Sequence, residues 1–213
     1  MTTIYRKDKA CAVCGKMHGY TVLGSTNAFG SCDLDTRPPE MQRSTMNYWL
    51  EECPHCGYIA YNIAKPTDVN RDILQQESYV TCDGIAFQSN LAKRFYRYSM
   101  LKDSKMEKMM AYLHSAWVCD DVRDIENAIV CRKKAIQMAD EILLESSEDD
   151  ENLRIMKADM LRRTCQFDRL VEEYAEVKLS DDLLNQILVY EIKLANERDD
   201  TCHTVREATE NKK

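Results

Sequence analysis

Two CxxC pairs constrain what this chain can fold into. Cys11-Ala12-Val13-Cys14-Gly15 and Cys53-Pro54-His55-Cys56-Gly57 flank a 38-residue stretch, and together they offer four thiolates at the spacing that tetrahedral zinc takes. A CxxC turn aims both sulfurs into one concave loop. The glycine after each second cysteine suits that loop, because the backbone must bend there with positive φ to point its N–H groups at the sulfurs. Each motif therefore reads as a zinc knuckle, and two knuckles close one site with Cys11, Cys14, Cys53 and Cys56 as ligands. Four thiolates leave no open position for water or substrate, so one structural Zn2+ is expected rather than a catalytic one.

The rest of the composition is that of a soluble globular protein, 213 residues with 44% hydrophobic and 31% charged side chains. No apolar run is long enough to span a bilayer, and the polar start Met1-Thr2-Thr3-Ile4-Tyr5-Arg6-Lys7 does not resemble a secretory signal. The chain reads as cytoplasmic, and its ten cysteines as reduced, since six of them lack a paired spacing. Cys119, Cys131 and Cys165 fall in amphipathic segments and are expected to pack as small apolar side chains. Residues 1–60 balance six basic against six acidic side chains, while residues 146–213 set eleven basic against seventeen acidic ones, giving most of the net −7. No basic stripe for gripping phosphates results, so nucleic acid is not expected as a partner. The groupings Lys93-Arg94…Arg97 and Arg132-Lys133-Lys134 read as solvated helix faces.

The fold expected is mainly α: a small β-rich four-cysteine zinc ribbon, then an all-α antiparallel, tetratricopeptide-like domain. The ribbon covers residues 1–65, which hold five of the six glycines and three of the four prolines. Met46 to Glu52 suits a short strand entering the second knuckle. The helical domain spans residues 66–199, and residues 200–213 form a polar tail. Helices are expected over Val69–Ser78 and Ile85–Met100. The next has Met106, Met109, Met110, Leu113, Ala116 and Trp117 inward, and the following one Ile125, Ala128, Ile129, Ala135, Ile136, Ala139 and Ile142. Ser147-Glu148-Asp149-Asp150 has the form of a capping box, and Ser180 can cap the last helix. An internal offset of 42 pairs Leu113 with Ile155, Ala116 with Ala158, Ile125 with Phe167 and Ala128 with Leu170. Such recurrence of a helical pair is the mark of tetratricopeptide repeats, although the usual interhelical glycine and closing proline are missing. A plain helical bundle is the alternative.

The ordered motifs Cys11-x-x-Cys14-Gly15, Gly30-x-x-Asp33-Leu34-Asp35-Thr36-Arg37-Pro38, Arg43-Ser44-Thr45-Met46 and Cys53-Pro54-His55-Cys56-Gly57-Tyr58 resemble the bacterial family catalogued as domain of unknown function 2225. The resemblance covers most of the chain. It implies a bacterial zinc-knuckle protein with a helical repeat-like region and the four cysteines as ligands, and it carries no activity. Cys32 stands where proline or another small residue is expected before Asp-Leu-Asp, and is not taken as a ligand.

Asp33, Asp35 and Arg37 form the best candidate for a functional loop. Two carboxylates at period two share one side of an extended chain beside an arginine. They can bind a cation or share acid–base work, or form an ion-paired turn that locks the insert against the knuckles, and the structural turn is the favoured reading. Three functions follow. The favoured one is a non-catalytic interaction or scaffold protein, its structural zinc fixing one end and its helical groove taking a protein or peptide partner. The second is a thiol redox protein or redox sensor using the CxxC pairs. The third is a metal-dependent hydrolase using Asp33 and Asp35, although the histidines at 18, 55, 114 and 203 have no ligand-like spacing. A second metal involving Cys32, Cys82 or His18 would need single residues to converge, and the sequence fixes neither partner nor oligomeric state.

Overall fold

The computed structural model describes residues 1–146 and 150–210. Thr3–Ala10 (β1) and Met17–Ser25 (β2) form an antiparallel hairpin, Ala10 opposite Met17, with the first CxxC at its tip. Strand alternation sets the inward face, so Tyr20 and Val22 are buried while Thr21 is exposed. Glu51–Glu52 (β3) and Ile59–Ala60 (β4) make a second, separate hairpin around the other CxxC. Between the hairpins run the short helix Glu40–Arg43 (α1) and a 3-10 turn over Met46–Tyr48. The strand expected from Met46 to Glu52 is thus only β3. Trp49 explains the difference: its Nε1 donates to Thr45 Oγ1 at 2.9 Å, folding the segment back and placing the ring edge-on to Phe95 and His114.

Helices fill the remainder. Glu77–Thr81 (α2) follows a 3-10 turn over Arg71–Gln75, because Asn70 caps that turn and Gln76 is extended, which splits the helix expected over 69–78. Asn90–Ser99 (α3) also starts later than expected. Cys82, Asp83 and Gly84 all have positive φ, Gln88 N–H donates to Asp124 Oδ2, and Ser89 Oγ caps Leu91 N–H. Then come Lys105–Asp121 (α4), Ile125–Glu145 (α5), Glu151–Arg163 (α6), Phe167–Tyr174 (α7), Asp182–Asn196 (α8) and Val205–Glu210 (α9). Ser104 caps α4. Asp150 caps α6 at Leu153 N–H, while Ser147, Glu148 and Asp149 of the expected capping box lie outside the described residues. Asp181 caps α8 rather than Ser180, whose N–H and hydroxyl bond Glu151 instead. Met106 and Ile125 are exposed, since each lies in the first turn of its helix ahead of the packed face.

The offset of 42 recurs in the backbone itself. α4 and α6 end at Asp121 and Arg163, and α5 and α7 begin at Ile125 and Phe167. Arg123 and Cys165 occupy the left-handed region at φ 58° and 57°, and Asp124 N–H and Gln166 N–H each reach back 2.9 Å to the carbonyls of Cys119 and Leu161. Arg198 repeats this turn after α8, with Asp199 N–H on Leu194 O at 2.9 Å. These side-chain-bearing residues stand where a glycine is ordinarily found.

One buried apolar cluster runs from Cys11, Leu34 and Tyr58 through Phe95 and Trp117 to Leu194 and Ala208, so hairpins and helices share a core. Residues 200–210 are not a loose tail: they fold back on the molecule, ending in α9, with Ala208 buried.

Candidate metal centre

The two knuckles are built alike. Gly15 N–H donates to Cys11 O at 2.8 Å and Gly57 N–H to Cys53 O at 2.9 Å, closing each CxxC turn. Cys11 N–H then reaches Lys16 O and Cys53 N–H reaches Tyr58 O, at 3.0 and 2.8 Å. Gly15 and Gly57 take φ of +71° and +75°, which lets the chain leave each turn without a Cβ clash. The four sulfurs of Cys11, Cys14, Cys53 and Cys56 consequently lie within 4.8 Å of one another. The short edges, Cys11–Cys56 at 3.7 Å and Cys14–Cys53 at 3.6 Å, join one knuckle to the other. A tetrahedral ion with metal–sulfur bonds of about 2.3 Å requires edges of about 3.8 Å, so the donor set fits a metal ion. A disulfide would need sulfurs at about 2.05 Å, and all four thiols are free.

The surroundings divide the sulfurs. Burial pushes the Cys11 and Cys56 thiols up, whereas the Lys16 N–H holds Cys14 down to about 7. Glu51, buried beneath the site, pairs with Lys9 and accepts Ile63 N–H at 2.8 Å, and Ala12 N–H donates to Ile63 O at 2.9 Å. The first knuckle is thereby tied to the chain leaving the second.

The second knuckle is also tied to α3. Arg97 donates from Nη1 to Glu52 Oε1 at 2.5 Å and from Nη2 to Gly57 O at 3.2 Å, with its guanidinium 4.3 Å over the Tyr79 ring. Tyr79 Oη donates to the same Gly57 carbonyl at 2.7 Å, and Arg94 reaches Glu52 and Leu50 O. Arg94 and Arg97 thus belong to a joint and not to a solvated face. The neighbouring His114 sits among Trp49, Phe95 and Trp117, where burial holds its imidazole down to about 4 and hence neutral.

Asp33, Asp35 and Arg37 are buried, and they lock the insert onto the helices instead of the knuckles. Asp35 Oδ2 accepts the indole N–H of Trp117 at 2.6 Å and lies 3.8 Å from Arg132 Nη2. Arg37 pairs with Asp121 at 2.5 Å and Asp33 with Arg43 at 2.7 Å. Burial pushes the Asp35 carboxyl up to about 6, with Asp159 adding to the effect and Arg132 opposing it. Residues 32–35 pair in turn with the C-terminal segment, Leu34 N–H on His203 O at 3.0 Å and Val205 N–H on Cys32 O at 2.9 Å.

Sequence reasoning missed the ionic cluster beneath this strap. Arg132 is buried and gives both Nη atoms to Asp120, at 3.1 and 2.5 Å, and Arg163 reaches the same carboxylate at 3.2 Å. Burial works against ionisation of Asp120, yet the Arg132 guanidinium outweighs it and keeps this carboxyl low. The available signal was Arg132 following Cys131 in α5, between the inward positions Ala128 and Ala135. Cys119 and Cys131 are buried as expected of apolar fillers, but Cys165 is exposed because it occupies the left-handed turn. Cys32 is exposed and Cys82 buried, and among the described residues only Cys11, Cys14, Cys53 and Cys56 bring three or more such donors to one point.

No protein-family model matches the chain, and neither the curated proteins nor the solved structures include a match to it.

Proposed function

We propose that this chain is a non-catalytic scaffold protein in which a single zinc ion staples the N-terminal hairpins to a helical array that receives a protein or peptide partner. The observation that carries the zinc assignment is the closed four-sulfur cluster, whose cross-knuckle edges of 3.6 and 3.7 Å match thiolate-bound zinc and leave no coordination position for substrate. The resemblance of the sequence motifs to the domain of unknown function 2225 family is in keeping with this reading. The array is repeat-like in the recurrence of its turns, and repeat arrays commonly bind extended or helical segments.

The strap and C-terminal segment cover part of the array, so the partner is assigned to the outer groove of α8 and α9. Its volume is about 480 Å³, and Val189 (69% exposed) stands with Gln186, Tyr190 and Lys193 along it. An apolar side chain flanked by polar ones at helical spacing suits a partner helix with an apolar stripe.

Metal analysis on protein purified under reducing conditions without added zinc is expected to give one zinc per chain and four thiols released together by a chelator. Partners captured by the wild-type protein are expected to be lost from Val189→Glu while its zinc content stays unchanged. Zinc-free protein with cysteines oxidised in pairs would instead support the thiol redox reading.

A further inference from the structure

α6 and α8 meet through a buried ionic triad. Arg162 donates from Nε to Glu191 Oε2 and from Nη2 to Asp159 Oδ1, both at 2.6 Å, and none of the three side chains is more than 2% exposed. Two carboxylates against one guanidinium would leave a net negative charge in the interior, where desolvation disfavours uncompensated charge. The remaining oxygens, Asp159 Oδ2 and Glu191 Oε1, are buried and have no donor among the described residues. One proton held by the pair removes the excess charge and supplies the donor that the orphaned oxygens lack.

The groups facing the triad do not supply the missing donor. From α5, Arg132 is committed to Asp120 of α4, and Arg163 of α6 donates to that same carboxylate. The strap contributes Asp35, an acceptor already bonded to Trp117. On α8, Tyr190 Oη lies 3.1 Å from His203 Nδ1, and from the C-terminal segment Asp199 is bonded to Thr201 and His203.

We propose that Glu191 and Asp159 share one proton, and that this proton latches residues 199–204 onto the helices through Arg162. The guanidinium that bridges the pair also points Nη1 at two carbonyls of the C-terminal segment, Asp199 O at 2.9 Å and Thr201 O at 2.7 Å. That segment holds the strap through the Leu34–His203 and Val205–Cys32 backbone bonds. With the proton in place, the pair carries one negative charge against one guanidinium. When the proton passes to water, the carboxylates repel, Arg162 must follow one of them, and Nη1 leaves the carbonyls. Burial, reinforced by Asp159, pushes the Glu191 carboxyl well up. Above the ordinary carboxyl range the folded chain therefore binds more protons than the unfolded one, so the latch weakens as pH rises.

Amide hydrogen exchange of residues 199–205 in the full-length metal-loaded protein tests this between pH 5.5 and 9, after correction for intrinsic exchange. Wild-type protection is expected to fall by up to about tenfold for each pH unit between the ordinary carboxyl range and the pair's own titration, and to level off above it. Glu191→Gln replaces the proton by a permanent N–H donor and is expected to keep protection level across the range. Protection in the wild type that does not change with pH, or a Gln variant that loses it in parallel, would overturn the proposal. Carbon-13 shifts of the wild-type carboxyls at pH 7 provide a reading independent of any variant. One neutral-type carboxyl among Glu191 and Asp159 is expected, and two fully ionised ones would equally overturn it.

Discussion

At the scale of single residues, the two knuckle glycines look equivalent in sequence and are not equivalent in space. Both need positive φ, so alanine at Gly15 is expected to cost about 1 kcal/mol of backbone strain, with open space around its Cβ. A Cβ at Gly57 would stand 2.9 Å from Arg97 Nη2 and displace the guanidinium from the Gly57 carbonyl. Gly57→Ala is therefore expected to cost about 2–4 kcal/mol, the strain plus a disrupted charge-assisted hydrogen bond, as read by urea unfolding of the two variants side by side. The cysteines and these glycines were legible because their chemistry is local. Arg132 was not: a basic triplet reads as solvent-facing, and only the convergence of Asp120 and Asp35 from distant segments explains its burial. The same pocket has a pH signature. Asp35 titrates near 6 when folded and at about 3.9 when unfolded, so its contribution to stability is full below about pH 4 and is lost as pH rises through 6. Asp35→Asn is expected to flatten that part of the stability profile, measured as unfolding midpoints from pH 4 to 7.

At the scale of elements, the periodicity located α4 to α8, and the departures fall at their ends. Helix termini are decided by one or two backbone N–H bonds accepted by the side chains of Ser89, Ser104, Asp150 and Asp181, which compete with equally polar neighbours such as Ser180. The 42-residue offset was visible as a weak pairing of apolar positions, but the turns that express it were not, because Arg123, Cys165 and Arg198 occupy left-handed positions that sequence patterns assign to glycine or asparagine. This suggests a direct gain. Arg123 is exposed at φ 58°, so Arg123→Gly relieves strain at the turn between α4 and α5 and is expected to raise stability by about 1 kcal/mol. Thermal unfolding monitored by circular dichroism checks it, and an unchanged or lower midpoint would show that the guanidinium carries an interaction outweighing the strain.

At the scale of the whole molecule, the contacts that no local pattern reveals join segments far apart in the chain: Asp35 to Trp117 across 82 residues, and Ser31 to Arg206 across 175. A polar, glycine-poor C-terminal sequence looks like a solvated tail until its backbone pairs with residues 32–34 from the far end of the chain, so its docking was illegible for a physical reason. Coupling of the proposed zinc site to the helices is equally non-local, since it runs from the Gly57 carbonyl and Glu52 through Arg97 into α3, and from α3 into the shared core. Removing the metal should then loosen more than the knuckles. Chelation under reducing conditions is expected to lower Tm by on the order of 10 °C, the shift that a loss of about 4 kcal/mol gives in a chain of this size. It is also expected to raise hydrogen exchange in α3 while α6 and α8 stay protected. Glu52→Gln separates the two links: it keeps the four sulfurs and their metal but weakens the Arg94 and Arg97 pairs, so α3 should exchange faster at unchanged metal content. If chelation leaves α3 as protected as before, the knuckle and the helical array are mechanically independent, and the metal serves the hairpins alone.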